Sequence, residues 1–184
     1  MPEKKMRMYP TKVVNIIGGP GCGKALFSSN IIAQLSLRHK IVQSVPDIAK
    51  SMVWQRNFQG LSNQYQIGLQ HFQMLDLLDG EVEFLVCEGS LPQLLFYNKH
   101  YADNICDIAR TRLQIRDWYM QHSNINVLIE RGELKYVNAG RFQNEEQARD
   151  IDRGLRALLQ YEGLAFTPLR PDVEAIRAFA AALK

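Results

Sequence analysis

The chain has 184 residues, 46% of them hydrophobic, and a formal net charge of +3. That length and apolar share suit one globular domain with a sizeable core, and no stretch approaches the roughly 18 consecutive apolar residues of a membrane-spanning helix. The modest positive charge fits an anionic ligand without demanding nucleic acid. The charged opening Met1-Pro2-Glu3-Lys4-Lys5 lacks the apolar core of a signal peptide. Cys22, Cys87 and Cys106 are scattered without metal-ligand spacing, so reduced thiols and a cytoplasmic setting are expected.

The first predicted strand is Val13-Val14-Asn15-Ile16-Ile17, a short run rich in β-branched residues. It enters the glycine-dense turn Gly18-Gly19-Pro20-Gly21-Cys22-Gly23-Lys24, which opens into a helical segment from Ala25 to about Ser36. Strand, turn and helix, with Gly18 separated by four residues from Gly23-Lys24, form the context of a phosphate-cradling P-loop. Glycines let the backbone turn its N–H groups inward around an anion, and the helix N-terminus adds partial positive charge. The residues expected to hold a nucleotide are therefore Gly19, Pro20, Gly21, Cys22, Gly23, Lys24 and Ala25. The motif asks for Ser or Thr after the lysine, as a Mg²⁺ ligand, and Ala25 lacks that hydroxyl.

His39 to Val45 reads as a second strand stopped by Pro46, and Asp47 stands at the N-cap of a helix from Ile48 to about Phe58, with Met52 and Val53 inward. Gly60 breaks that helix, and Ser62 caps a longer one. There Tyr65, Leu69, Phe72, Leu75 and Leu78 form an apolar stripe opposite Gln64, Gln66, Gln70, His71 and Gln73. Glutamine offers a donor and an acceptor, which suits a base edge and equally a solvated helix face. Asp79-Gly80 ends this helix.

The third strand, Val82 to Cys87, leads directly to Glu88-Gly89-Ser90, and an acid at such a strand end is the usual second half of a P-loop site. Leu91 to Tyr97 starts a buried helix or loop. Asn104 to Gln121 reads as a long helix with Ile105, Ile108, Ala109 and Ile115 inward. Intrahelical ion pairs would account for its Arg110, Arg112 and Arg116 beside Asp103, Asp107 and Asp117. Ile125 to Ile129 is the fourth strand. The segment from Arg131 to Arg141 has three cations and glycines near both ends, as a basic lid or an ordinary surface loop would. Asn144 with Gln147 opens the next helix as a capping box. Ala165 to Leu169 is a short edge strand, and Pro171-Asp172 starts a last helix with Val173, Ile176, Phe179 and Ala180 inward. Alternating strands and helices imply an α/β fold in three layers, a five-stranded parallel sheet with helices on both faces, spanning residues 1–184 as one domain with a short lid at about 131–143.

The chain resembles the small P-loop kinases common in bacterial viruses, often labelled ATPases of the AAA type and related to nucleotide and nicotinamide-riboside kinases. The matching stretches are Ile16 to Lys24, Asp47 through Trp54, Cys87-Glu88-Gly89-Ser90, and Gly140-Arg141-Phe142-Gln143-Asn144-Glu145-Glu146. It looks most similar to those that phosphorylate 5-hydroxymethyluracil in DNA. The resemblance implies ATP and Mg²⁺ as cofactors, DNA containing a modified pyrimidine as a partner, and the host cytoplasm as the setting. It implies catalytic roles for Lys24, Asp47, Glu88, Arg131 and Arg141, with Asp47 facing the acceptor and Glu88 organising Mg²⁺ through water, or the two acids in exchanged roles. Gln70 or Gln73 would read the pyrimidine and Trp54 or Phe58 would stack on it. A free nucleoside or nucleotide kinase and a catalytically impaired nucleotide-binding module are the alternatives.

Overall fold

The computed structural model describes residues 7–132, 135–137 and 143–184. Its elements run β1 (Lys12–Ile17), α1 (Lys24–Leu37), β2 (Val42–Val45), α2 (Ile48–Trp54), α3 (Phe58–Ser62), α4 (Gln64–Leu78), β3 (Phe84–Cys87), α5 (Leu91–His100), α6 (Ile108–Met120), β4 (Ser123–Ile129), α7 (Glu145–Tyr161), β5 (Thr167–Leu169) and α8 (Val173–Ala182). The five strands form one parallel sheet in the order β2-β3-β1-β4-β5, which puts the short Pro168-bearing β5 at an edge, where proline's missing N–H is tolerated.

Alternation along β1 divides the core between the two faces of the sheet. Val13 joins Leu85 and Cys87 beneath α4, α5 and α6, where Ile67, Leu75, Leu94 and Ile115 pack. Val14 and Ile16 join Phe84 and Val86 beneath α1 and α8, where Phe27, Ile31, Leu35 and Ile176 pack. Ile17 and Leu128 meet Leu155 and Leu159 of α7. Each fully buried aliphatic side chain contributes about 1.5–3 kcal/mol relative to exposure, so a central strand buried on both faces anchors the sheet. Asn15, a polar residue in that strand, is satisfied through its amide, which donates to Asn124 Oδ1 and Asn126 Oδ1 at 2.9 and 3.0 Å.

The helical region before β3 departs from the sequence reading. α2 ends at Trp54, Gly60 lies inside the separate α3, and Asn63 rather than Ser62 caps α4 through a bond from Gln66 N. The buried face of α4 is Gln64, Ile67, Gly68, His71 and Leu75, about one position away from the expected stripe. Gly68 explains the rotation, since a Cβ there would lie 3.1 Å from Trp118 Cζ3, so its absence lets α6 close in. Tyr65 and Phe72 keep a flanking role, their rings 5.5 and 5.4 Å from Trp118. α6 begins at Ile108, and Ile105 and Ile108 are exposed, leaving Thr111, Ile115 and Trp118 as its buried residues. Val173 is likewise exposed, whereas Ile176 and Ala180 are buried.

Arg112 and Arg116 do not find their main partner within their own helix. Both reach Glu162 at the end of α7, Arg112 with two bonds of 2.7 and 2.9 Å, and the Glu162 side chain is only 1% exposed. Burial raises the Glu162 pKa, but bonds from the two guanidiniums outweigh it and the net direction is down. Removing the carboxylate strips two half-exposed arginines of their acceptor. Glu162→Ala should cost about 1–3 kcal/mol, and a thermal melt should fall by ~2–4 °C for each of them. An unchanged melting temperature would show that the pair contributes nothing to stability.

Candidate active site

Parallel register decides which side chains meet. Val45 of β2 pairs with Cys87 of β3, Asn15 of β1 pairs with the same Cys87, and Glu88 N donates to Val45 O at 3.1 Å. The residues that follow these strands therefore emerge on one rim: the P-loop after β1, Asp47 after β2 and Glu88 after β3. Residues of all three line one cleft of about 230 Å³, which also takes in side chains from α2, α4 and α5 and Gln143 before α7.

The turn after β1 has the backbone its glycines allow. Gly21 and Gly23 have φ of 76° and 102°, values that L side chains rarely adopt. A Cβ on Gly18 would stand 2.5 Å from Cys22 Sγ, because the Cys22 thiol is tucked beneath the loop. Burial first, and then Asp152, pushes that thiol's pKa up against the opposing pull of Lys24 and Arg131, so Cys22 packs rather than reacts. The Lys24 ammonium donates to Gly18 O at 2.7 Å and Gly19 O at 3.1 Å, lying over its own loop.

Three loop amides are already engaged, the longest bond being that of Cys22 N to Gly19 O at 3.4 Å. Gly18 N donates to Gln93 Oε1 at 3.2 Å and Gly19 N to Asp152 Oδ1 at 2.8 Å. Gly19 must lack a side chain, since a Cβ would lie 2.5 Å from that same oxygen. Asp152 Oδ2 accepts from Arg131 Nε at 2.7 Å, and Arg131 Nη2 donates to Pro20 O at 2.8 Å. Arg131, expected as a lid cation over phosphate, is thus a 7%-exposed strut between the P-loop and α7, and it is not among the residues lining the cleft. Asp152 was missed because, on sequence alone, it is one charged residue of a strongly amphipathic helix.

Asp47 caps α2 by accepting from Lys50 N at 3.0 Å, a bond that also orients the carboxylate. A Cβ on Gly89 would come within 2.9 Å of Asp47 Cα and 3.0 Å of its Oδ1, so glycine at 89 is what lets the two strand ends approach. Ser90 caps α5. Tyr97 lines the cleft as well, and burial first, then Asp47, pushes its hydroxyl pKa up, which keeps it a hydrogen-bond donor.

Other expected residues lie elsewhere. Trp54 and Phe58 are 62% and 52% exposed, Gln70 and Gln73 are exposed on the outer face of α4, and none of the four lines the cleft. The rotation of α4 turns Gln64 and His71 inward instead, and both line it. Arg141 lies outside the described residues. Ala25 lines the cleft, but a methyl group supplies no oxygen for a cation. Among the described residues no cluster of three His, Cys, Asp or Glu side chains could hold a metal, and no helix is long and apolar enough to cross a membrane.

Fold and rim together define a P-loop kinase-like α/β architecture. The comparison with solved structures agrees: the chain is similar to the NadR protein in complex with NAD and AMP-PNP, with a TM-score of 0.65 and 11% identity over 94% of this chain. The match covers 49% of that protein, so this chain spans about half its length. No protein-family model and no curated protein matches the sequence.

Burial, with a smaller effect of nearby His122, lowers the His71 pKa from 6.5 to about 4. The folded protein therefore takes up this proton less readily than the unfolded chain. The contribution of neutral His71 is complete above pH 6.5 and is lost as pH falls toward 4, about 3 kcal/mol by linkage. Urea denaturation at pH 7.5 and 4.5 should show the wild type losing about 2–3 kcal/mol relative to His71→Phe across that interval. Parallel pH responses would mean that the imidazole titrates normally in the folded protein.

Proposed function

We propose that the chain is an ATP-dependent kinase that transfers the γ-phosphate to a hydroxyl of a nucleoside or nucleotide. The observation that carries this reading is the single cleft lined at once by the P-loop, Asp47 and Glu88. Phosphoryl transfer needs the donor phosphates held, the developing charge met, and the acceptor oxygen aligned. The amides of Gly21, Gly23, Lys24 and Ala25 would cradle the phosphates, since those of Gly18, Gly19 and Cys22 are engaged. Lys24 would exchange its two carbonyl partners for phosphate oxygens, and Asp47, oriented by Lys50 N, would take the acceptor's proton.

The donor set suits Mg²⁺ only through water and the triphosphate's own oxygens, with Glu88 as the carboxylate that would hold that water shell. When bound, the ion supplies charge neutralisation on the phosphates. Arg131 would act by bracing the loop, and Arg141 is the remaining candidate for a lid cation.

The sequence resemblance directs the acceptor to 5-hydroxymethyluracil in DNA. A free nucleoside or nucleotide is the second reading, favoured by the apolar walls of the cleft, Val53, Leu61, Ile67 and Leu94. Nucleotide binding as in the NadR complex accords with either.

The test is transfer from labelled ATP to 5-hydroxymethyluracil DNA and, in parallel, to free nucleosides. Lys24→Ala should abolish transfer, while Ala25→Ser should raise it at least tenfold, since each ~1.36 kcal/mol of restored stabilisation is tenfold in rate. No transfer to any hydroxyl acceptor after that repair would leave a nucleotide-binding module.

A further inference from the structure

Four polar side chains lining the cleft are no more than 5% exposed: Gln64, His71, Ser90 and Gln93. Two are engaged within the fold. Ser90 Oγ accepts from Gln93 N, and Gln93 Oε1 accepts from Gly18 N. The other two are not. Gln64 Nε2 donates to Leu61 O at 2.7 Å, which sets the amide's orientation and leaves Oε1 without a partner. Neither ring nitrogen of His71 has a partner either. A buried polar atom left unpaired is costly, and such atoms in a native fold call for an explanation.

Residues 64 and 71 are seven apart, two turns along one face of α4. Leu61, Ile67 and Leu94 supply apolar walls in the same cleft. Such a lining suits a flat, uncharged ring that brings its own polar edge.

We propose that Gln64 and His71 read the acceptor's head group, a planar ring carrying a lactam or carboxamide N–H that Gln64 Oε1 accepts and a second polar atom that His71 engages. The inference rests on the kinase reading and adds specificity-determining residues to it. Gln64, its NH₂ tied to Leu61, selects for a donor on the ligand. His71, held neutral by burial, has one donor and one acceptor and adds no charge. A ring without an N–H would leave Gln64 Oε1 unpaired, and that loss is the basis of discrimination.

The experiment is calorimetric titration of the full chain with ATP, then separately with thymidine as the lactam probe and benzamide riboside, a neutral ring, as the carboxamide probe. Matched analogues lack the donor: N3-methylthymidine, and the N,N-dimethylamide of benzamide riboside. One of the two probes should bind, identifying the source of the N–H, and its analogue should bind at least tenfold more weakly. Gln64→Leu and His71→Leu should weaken the same probe tenfold or more while ATP affinity stays within twofold. Gln64→Leu also removes the amide that donates to Leu61 O, so its melting temperature should fall by a few degrees; the decision rests on the folded variants, and unchanged probe affinity in both of them would overturn the proposal. Equal binding of a probe and its analogue would also overturn it, on unmodified protein. Binding of ATP but of neither probe would overturn this inference and leave the nucleotide reading intact, whereas failure to bind ATP would overturn both.

Discussion

The close approach of Gly89 to Asp47 is the constraint on which the cleft depends. Two parallel strands can bring their carboxyl ends side by side, but the residues that follow normally splay apart as each chain turns toward its helix. Here the ladder continues one step beyond the strands through Glu88 N and Val45 O, and a missing side chain at 89 lets Asp47 sit against the next residue. The carboxylate is then fixed a second time by capping α2. Backbone pairing, a glycine and a helix cap thus place one acid without a long-range salt bridge among the described residues. A second acid, Glu88, follows from the same register.

On the other side of β1 the loop is braced by charge. Asp152 holds the Gly19 amide and Arg131, and Arg131 in turn holds Pro20 O, so one carboxylate and one guanidinium link the P-loop to α7. A carboxylate beside an anion-binding loop would ordinarily repel phosphate. Pairing with Arg131 offsets that charge, and the acid takes an amide at the loop's start rather than those next to Lys24. The brace orders the loop before any phosphate arrives, which lowers the entropy that binding would otherwise have to overcome.

How much of this was legible in the sequence follows from the range of the forces involved. Local signals read well: β-branched runs became strands, Asp47 and Asn144 became caps, Pro168 marked an edge, and Gly21 and Gly23 of the P-loop took positive φ where L side chains would be strained. Contacts between helices did not. The buried face of α4 depends on Gly68 meeting Trp118, residues 50 positions apart, and that contact turned Gln64 and His71 inward and left Gln70 and Gln73 outside. Arg112 and Arg116 looked like members of intrahelical pairs because a charge has many equivalent neighbours within its own helix. Glu162 wins because it is buried and has no better partner. Ile105 is exposed for a simpler reason, since it lies before the helix, which begins at 108.

The outcome is a cleft whose two ends obey different physics. At the loop end, amides, an ammonium and two acids act on charge, and on the proposed reading the amides and the ammonium would meet the phosphates of the donor. Toward α4 the walls are apolar and the buried polar atoms are uncharged, so discrimination there comes from whether a hydrogen bond is made or missed. An unpaired buried atom carries a larger penalty than a made bond carries a gain, because the lost partner is water. On the proposed reading, selectivity would belong to the residues that lack partners in the fold, and turnover to those the sheet register brings to the rim.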